Sequence, residues 1–328
     1  MQKQKTIISG ALGALIILSL LLSACGSLGA KTTTIAYGSD IDPADIADQI
    51  GLNEFGKKQK TEVVELTEDS GAVAGLIKGD IQIANIGLPD AIKAYQMGVP
   101  LKVIFPANMV MEFVLIGQPG IKTVEDLVGK KVAYHAPGSG TEILPRMLVK
   151  QSGTVTEDQI EWIILPESPN RAAAMQANRI DVTALEFADV LTLQESGKDY
   201  EIIASFADIA PEAISSAWVT TEDFANANPG LLKEFAMALA HGYQVAATDK
   251  SAWMAAAKEH LPQVDENRLS KTYDFYARVH NFPQAPFFTQ ELWEKMNNFY
   301  TSVGEYEDPA PYDLVFSDAV TAAMKGSQ

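Results

Sequence analysis

From Thr34 onward, short apolar runs rich in β-branched residues alternate with stretches of helical spacing, and this alternation restricts the fold more than any other feature. Thr34–Gly38, Thr61–Leu66, Ile81–Ile86, Leu101–Phe105 and Phe113–Gly117 read as strands. Helical patterns fall between them, around Ala44–Gln49, over Gly71–Gly79, where Val73, Leu76 and Ile77 share a face, and over Asp90–Met97, where Pro89 suits the first turn. A second series begins near Gly120. Val124–Leu127 reads as a short helix, Lys131–His135 as a strand, and Gly138–Thr141 as a turn opening a helix through Val149. Ile160–Leu165, Val182–Leu185, Glu201–Phe206 and Ala217–Thr220 read as further strands, with a helix over Arg171–Ala177. Beyond Thr220 the pattern is mainly helical. The prediction is an α/β protein with mostly parallel sheets and helices on both faces. In such sheets, ligands sit outside the carboxyl ends of the strands, where helix N-termini present free N–H groups.

Cys25 is the sole cysteine in the chain. It closes Leu22-Ser23-Ala24-Cys25, at the end of an apolar run from Ile7 that Lys3 and Lys5 precede. This charged, apolar, small-residue order is that of a secretory signal, and the run is shorter than the ~20 residues of a spanning helix. The last four residues resemble the lipobox of bacterial lipoproteins, which implies cleavage after residue 24 and acylation of Cys25. Gly26–Thr33 then reads as a flexible tether, and the expected location is the extracytoplasmic face of a cell membrane. A lipidated cysteine leaves no disulfide, so core packing alone must hold the protein together.

The remaining chain, roughly 300 residues, is long enough for two lobes with cores of their own. Net charge is −17, and removal of Lys3 and Lys5 takes the mature part to −19. A surface this acidic repels nucleic acid and anionic headgroups, so neither is an expected partner. The four histidines (His135, His241, His260, His280) lack metal-site spacing, and no cysteine can join them, so neither a metal site nor a cofactor is expected.

Four further stretches carry a family resemblance: Gly75–Ala84 (GLIKGDIQIA), Gly98–Val103 (GVPLKV), Ile121–Ala133 (IKTVEDLVGKKVA), and Arg171–Met175 with Ile180-Asp181. In this order they resemble the NMT1/THI5-like substrate-binding proteins of ABC importers, whose members bind thiamine-pyrimidine precursors, riboflavin, sulfonates or nitrate. The resemblance implies a type II periplasmic-binding-protein fold with the solute held in a cleft between two lobes. The lobes are expected at 31–118 plus 214–328 and at 119–213. It also implies a permease and an ATPase as partners. The stretch from Asn170 through Asp189 resembles the branch that includes riboflavin-binding lipoproteins.

Candidate ligand contacts are the residues directly after strands. In the first lobe these are Ser39, Asp40, Asp69, Ser70, Gly87, Leu88 and Asn108, although Ser, Asp and Asn at such places also cap helices, for about 1 kcal/mol each. In the second, Gly138-Ser139-Gly140-Thr141 allows close backbone approach and supplies donors, although an ordinary strand-to-helix turn has the same composition. It is not a P-loop, because Glu142-Ile143 follow Thr141. His135 can donate a hydrogen bond beside it, and Glu186-Phe187 pairs a carboxylate with a ring. Trp218, with Tyr37, Tyr134 and Phe206, supplies rings at strand ends that can stack on a flat ligand or fill the core. Arg171 reads as an anion site or, preferably, a structural salt bridge.

Some fungal enzymes that resemble this group make thiamine pyrimidine with a cysteine-rich iron-binding segment. Cys25 cannot supply one, and no nucleophile elbow is present, so a receptor is expected rather than an enzyme. Overall acidity, few arginines near the loops and several rings favour a flat, near-neutral cargo such as riboflavin or a thiamine-type pyrimidine. A small anion, sulfonate or nitrate, is the alternative cargo, and a solute-sensing lipoprotein coupled to a signalling partner is the alternative role.

Overall fold

The computed structural model describes residues 32–283 and 288–316. The expected signal segment, Cys25, most of the tether and the last twelve residues of the expected first lobe lie outside the described residues. From Thr33 on, the described residues form one unit.

The strands are β1 (Thr33–Tyr37), β2 (Thr61–Glu65), β3 (Ile83–Gly87) and β4 (Leu101–Asn108), then β5 (Val114–Gly117), β6 (Lys131–Tyr134), β7 (Glu161–Ile164), β8 (Val182–Leu185) and β9 (Glu201–Ser205), and finally β10 (Ser216–Thr221). Helices α1 (Ile46–Gly56), α2 (Asp69–Lys78) and α3 (Leu88–Gln96) link the first four strands, and α4 (Gly140–Ser152), α5 (Ser168–Gln176) and α6 (Phe187–Gln194) serve the next five. α7 (Phe206–Ile209) and α8 (Glu222–Ala227) flank β10; α9 (Pro229–Thr248), α10 (Lys250–His260), α11 (Glu266–Arg278) and α12 (Gln290–Val303) follow.

Two five-stranded sheets result, ordered β2-β1-β3-β10-β4 and β7-β6-β8-β5-β9. Each is mixed, which corrects the expectation of mostly parallel sheets. β1 is parallel to β2 and β3, and β6 to β7 and β8, but β10 and β5 each run antiparallel to both neighbours. The reason is topological. The chain leaves the first sheet after β4, enters the second directly through β5, and returns through β10, so both crossing strands oppose the βαβ series they join. Phe113–Gly117, expected in the first lobe, accordingly hydrogen-bonds within the second sheet.

Strands β1, β3 and β8 are buried almost throughout rather than alternating, as strands covered on both faces must be. Helix α1 packs on α9 through two glycines: a Cβ on Gly242 would lie 2.5 Å from the Ala47 carbonyl oxygen, and one on Gly51 2.8 Å from Leu239 Cα. α11 reaches α6, where Phe275 stacks on Phe187 at 4.1 Å and Arg268 Nη1 donates to Thr192 Oγ1 at 2.9 Å. The C-terminal helices therefore touch elements of both sheets.

Candidate functional site

A cleft of about 710 Å³ is lined from both sheets by the loops that follow the strands. The βαβ units put these loops there: each parallel strand delivers its last residue to the same edge, and the next helix starts with its N–H groups aimed at it. A neighbouring groove of about 660 Å³ shares Lys93 and Gly138 with it. Arg146 pairs with Glu142 and Glu157, and Lys93 with Glu305.

Most of the expected contacts converge on the cleft. Ser39, Asp69, Ser70, Gly87, Asn108, His135, Gly138, Ser139, Gly140, Thr141 and Glu186 all line it. Four do not. Asp40 is exposed on the turn after β1, outside the lining. Leu88 is fully buried, and its N–H is taken by the Ser215 carbonyl at 2.9 Å. Phe187 stacks against Phe275 on the far side of α6's first turn. Trp218 is fully buried between Tyr37 and Phe235, because its indole N–H needs an acceptor and finds Asp48 Oδ1 and the Tyr243 hydroxyl, each at 3.4 Å. Of the other rings considered, Phe206 is in the core and Tyr134 packs against Trp162, while Tyr37 lines the cleft.

Arg171 forms no ion pair within 4 Å among the described residues, contrary to the preferred structural salt bridge. It is nearly inaccessible, lines the cleft, and donates Nε and Nη1 to the carbonyls of Ala184 and Leu165 at 3.1 and 3.3 Å.

Helix α4 presents its N-terminus to the cleft. Gly138 has φ of +80°, a conformation that favours glycine, and its N–H donates to Glu142 Oε2 at 2.7 Å. The hydroxyls turn inward: Thr141 Oγ1 accepts from the His135 N–H and shares a 2.9 Å hydrogen bond with Ser139 Oγ. Glu142 and Ile143 N–H bond back to the Ser139 carbonyl. Gly140 and Thr141 remain as the first-turn donors with no carbonyl of the helix to meet. Lys93 of α3 reaches this loop at the Gly138 carbonyl, 3.5 Å away.

Carboxylates dominate the lining: Asp42, Asp45, Glu68, Asp69, Asp90, Glu112, Glu167 and Glu186, against Lys93 and Arg171. Burial pushes Glu112 up to about 8, with the charge of Asp42 adding to it. Burial raises Asp42 to about 6, against the Ala44 N–H that pulls it down and with the charge of Asp189 adding to it; burial first and the charge of Asp42 second raise Asp45 and Glu186 well above the usual range. Asp69 rises to about 7 through burial and the neighbouring Asp90, although the Gly87 N–H at 2.9 Å pulls it back. Burial and Arg171 push His135 below its ordinary value, so it is neutral near pH 7; its Nδ1 accepts from the Glu167 N–H at 3.3 Å.

Several of these residues escape a local reading. Asp42 and Asp45 form a capping box and look like helix punctuation, while Asp90 sits in a helix first turn. Glu112 lies in the crossing segment between β4 and β5, which no strand-end rule marks. Among the described residues no cluster of three or more His, Cys, Asp or Glu side chains is arranged to hold a metal ion.

Two sheets with flanking helices, joined by crossing segments around a cleft at their strand ends, define the periplasmic-binding-protein fold of ABC-importer solute receptors. Over 85% of this chain and 95% of the other, the fold superposes on the periplasmic aliphatic sulphonate binding protein SsuA from Escherichia coli (TM-score 0.68, 17% identity). It also superposes, at TM-score 0.72 and 15% identity, on the ligand-binding component of an ABC-type import system from Staphylococcus aureus, solved with zinc bound, over 89% of this chain and 98% of that one. In sequence it is 29% identical over 231 residues, 69% of each chain, to the taurine-binding periplasmic protein of Escherichia coli (strain K12). Residues 60–252, more than half of the chain, match the family described as NMT1/THI5 like. The chain belongs to that family, as its sequence stretches indicated, and is a solute-binding protein of an ABC importer. The relatives it matches are binding proteins, not enzymes. No helix among the described residues is long and apolar enough to cross a membrane.

Proposed function

We propose that the protein captures a small organic anion of the sulfonate class outside the cytoplasm and delivers it to its permease, held to the membrane by lipid on Cys25. The observation that carries the cargo assignment is the N-terminus of α4: Gly140 and Thr141 offer N–H donors, the helix dipole adds partial positive charge, and Lys93 stands at the same loop. Taurine and aliphatic sulphonates, named for two similar proteins, favour this small-anion reading over the flat heterocycle. The lining weakens the heterocycle further, since among the described residues Tyr37 and Phe113 are its only phenol or phenyl rings and Tyr37 is almost wholly buried.

Binding then drives closure, because only a closed cleft brings both walls onto one solute. A thermal-unfolding scan against alkanesulfonates, taurine, nitrate, riboflavin and thiamine pyrimidines tests the assignment. A true cargo at 100 times its dissociation constant adds about 2.7 kcal/mol, a shift of several degrees. A shift with riboflavin and none with any sulfonate overturns it.

A further inference from the structure

An anion at α4 leaves the carboxylates of the cleft unexplained. Glu112 arrives from the β4–β5 crossing, Glu186 from the end of β8, and Asp42 and Asp45 from the turn after β1. These carboxylates come from both sheets and lie close enough to raise one another's energy as charges. Asp42 and Asp45 have a local task, each accepting a backbone N–H in the capping box. Glu112 has none that explains its far oxygen: only 4% exposed, it lines the cleft with Oε2 lacking any hydrogen-bond partner among the described residues. The Tyr276 hydroxyl of α11, fully buried beside the same four carboxylates, is likewise without a partner among the described residues.

Leaving a buried acceptor unmade is expensive, and a half-satisfied polar cluster is worse than an apolar one. Arg171 relieves it only in part: its charge favours the ionised form of Glu186, but it does not act on Glu112, and its Nε and Nη1 are given to backbone carbonyls. A metal ion fits poorly, because no cluster of three ligating side chains is arranged for one among the described residues. A donor that brings positive charge and several N–H bonds would satisfy these groups together, and an ammonium group has that chemistry.

Resting on the anion reading above, we propose that Glu112 and Glu186, backed by Asp42 and the Tyr276 hydroxyl, form a subsite for an ammonium group of the cargo. The cargo is then bipolar, its anionic end at α4 and its amine among the carboxylates. The protein selects amine-bearing solutes over amine-free solutes of the same length.

Calorimetric titration tests this with alkanesulfonates of increasing chain length, the matching ω-aminoalkanesulfonates, and simple alkylamines. At the fitting length the amine tightens binding by roughly 10–100-fold, the worth of a charge-assisted hydrogen bond. Glu112→Gln and Glu186→Gln, used as independent variants, each remove that margin while alkanesulfonate affinity holds. Alkylamines that bind without help from a sulfonate refute the anion reading but keep the ammonium subsite. An amine that adds nothing at any length, a margin that survives both Gln substitutions, or no binding by any probe refutes the subsite.

Discussion

Replacing Glu112 by Gln makes the solute-free protein more stable at neutral pH, and the gain grows with pH. Burial holds the Glu112 carboxyl up to about 8, against an ordinary 4.5, and the charge of Asp42 pushes the same way. Asp45, Glu186 and the Tyr276 hydroxyl feel the same charge from other elements, and among the described residues no cation is paired with it. Between these two values the native state keeps a proton that the unfolded chain has released. Stability therefore falls as pH rises, by about 1.4 kcal/mol per pH unit for one such group. From pH 5.5 to 7.5 this amounts to about 3 kcal/mol, and at this chain length to roughly 5 °C in Tm. Asp42, Asp48 and Asp69, raised to about 6, 7 and 7, add slopes of the same sign, so the comparison must be between wild type and variant. Gln has the same shape and does not titrate. Calorimetric melts at pH 5.5, 6.5 and 7.5 should show the variant's Tm above that of wild type by about 2 °C at pH 5.5, with a gap that widens by several degrees at pH 7.5. A difference independent of pH, or a variant less stable at pH 7.5, refutes the reasoning.

Other outcomes follow from single contacts. Gly242→Ala places a methyl group against the α1 backbone and should destabilise by about 1–3 kcal/mol, read as a lower Tm with solute specificity kept. Trp218→Phe removes the indole donor to Asp48 and should cost about 1–3 kcal/mol, seen as a lower urea midpoint with an unchanged slope. Cys25→Ser should move the protein from the membrane fraction to the soluble fraction of cells that make it; retention in the membrane would refute lipidation at Cys25.

Most elements were readable because their strands are β-branched runs and several helices have a marked start; α6 and α7, for which no helical span was expected, were not. Pro89 does fall in the first turn of α3, and Gly79, in the left-handed conformation, does end α2. Strand direction was not readable, because β10 pairs across more than a hundred residues with β3 and β4. Nothing local to Ala217–Thr220 encodes which strands will flank it; that depends on where the chain stands after it has built the second sheet.

The cleft shows the same division between local and distant information. Ser39, Asp69, Asn108 and the Gly138–Thr141 loop, chosen for their position after a strand, line one cleft, since βαβ geometry alone brings such residues to one edge. It misplaced Trp218 and Phe187, because a strand end says nothing about which partner an aromatic ring will find: Asp48 claims one and Phe275 the other. It also missed the carboxylates, since Asp42, Asp45 and Asp90 each have a sufficient local explanation as helix-terminal acids. Their meaning lies in convergence. A capping aspartate near solvent is a stability device, but several acids from both sheets around one buried, unpartnered glutamate oxygen raise the energy of the empty protein. A solute that brings the missing charge recovers that energy only when both walls reach it, which couples the charge of the cargo to closure of the cleft.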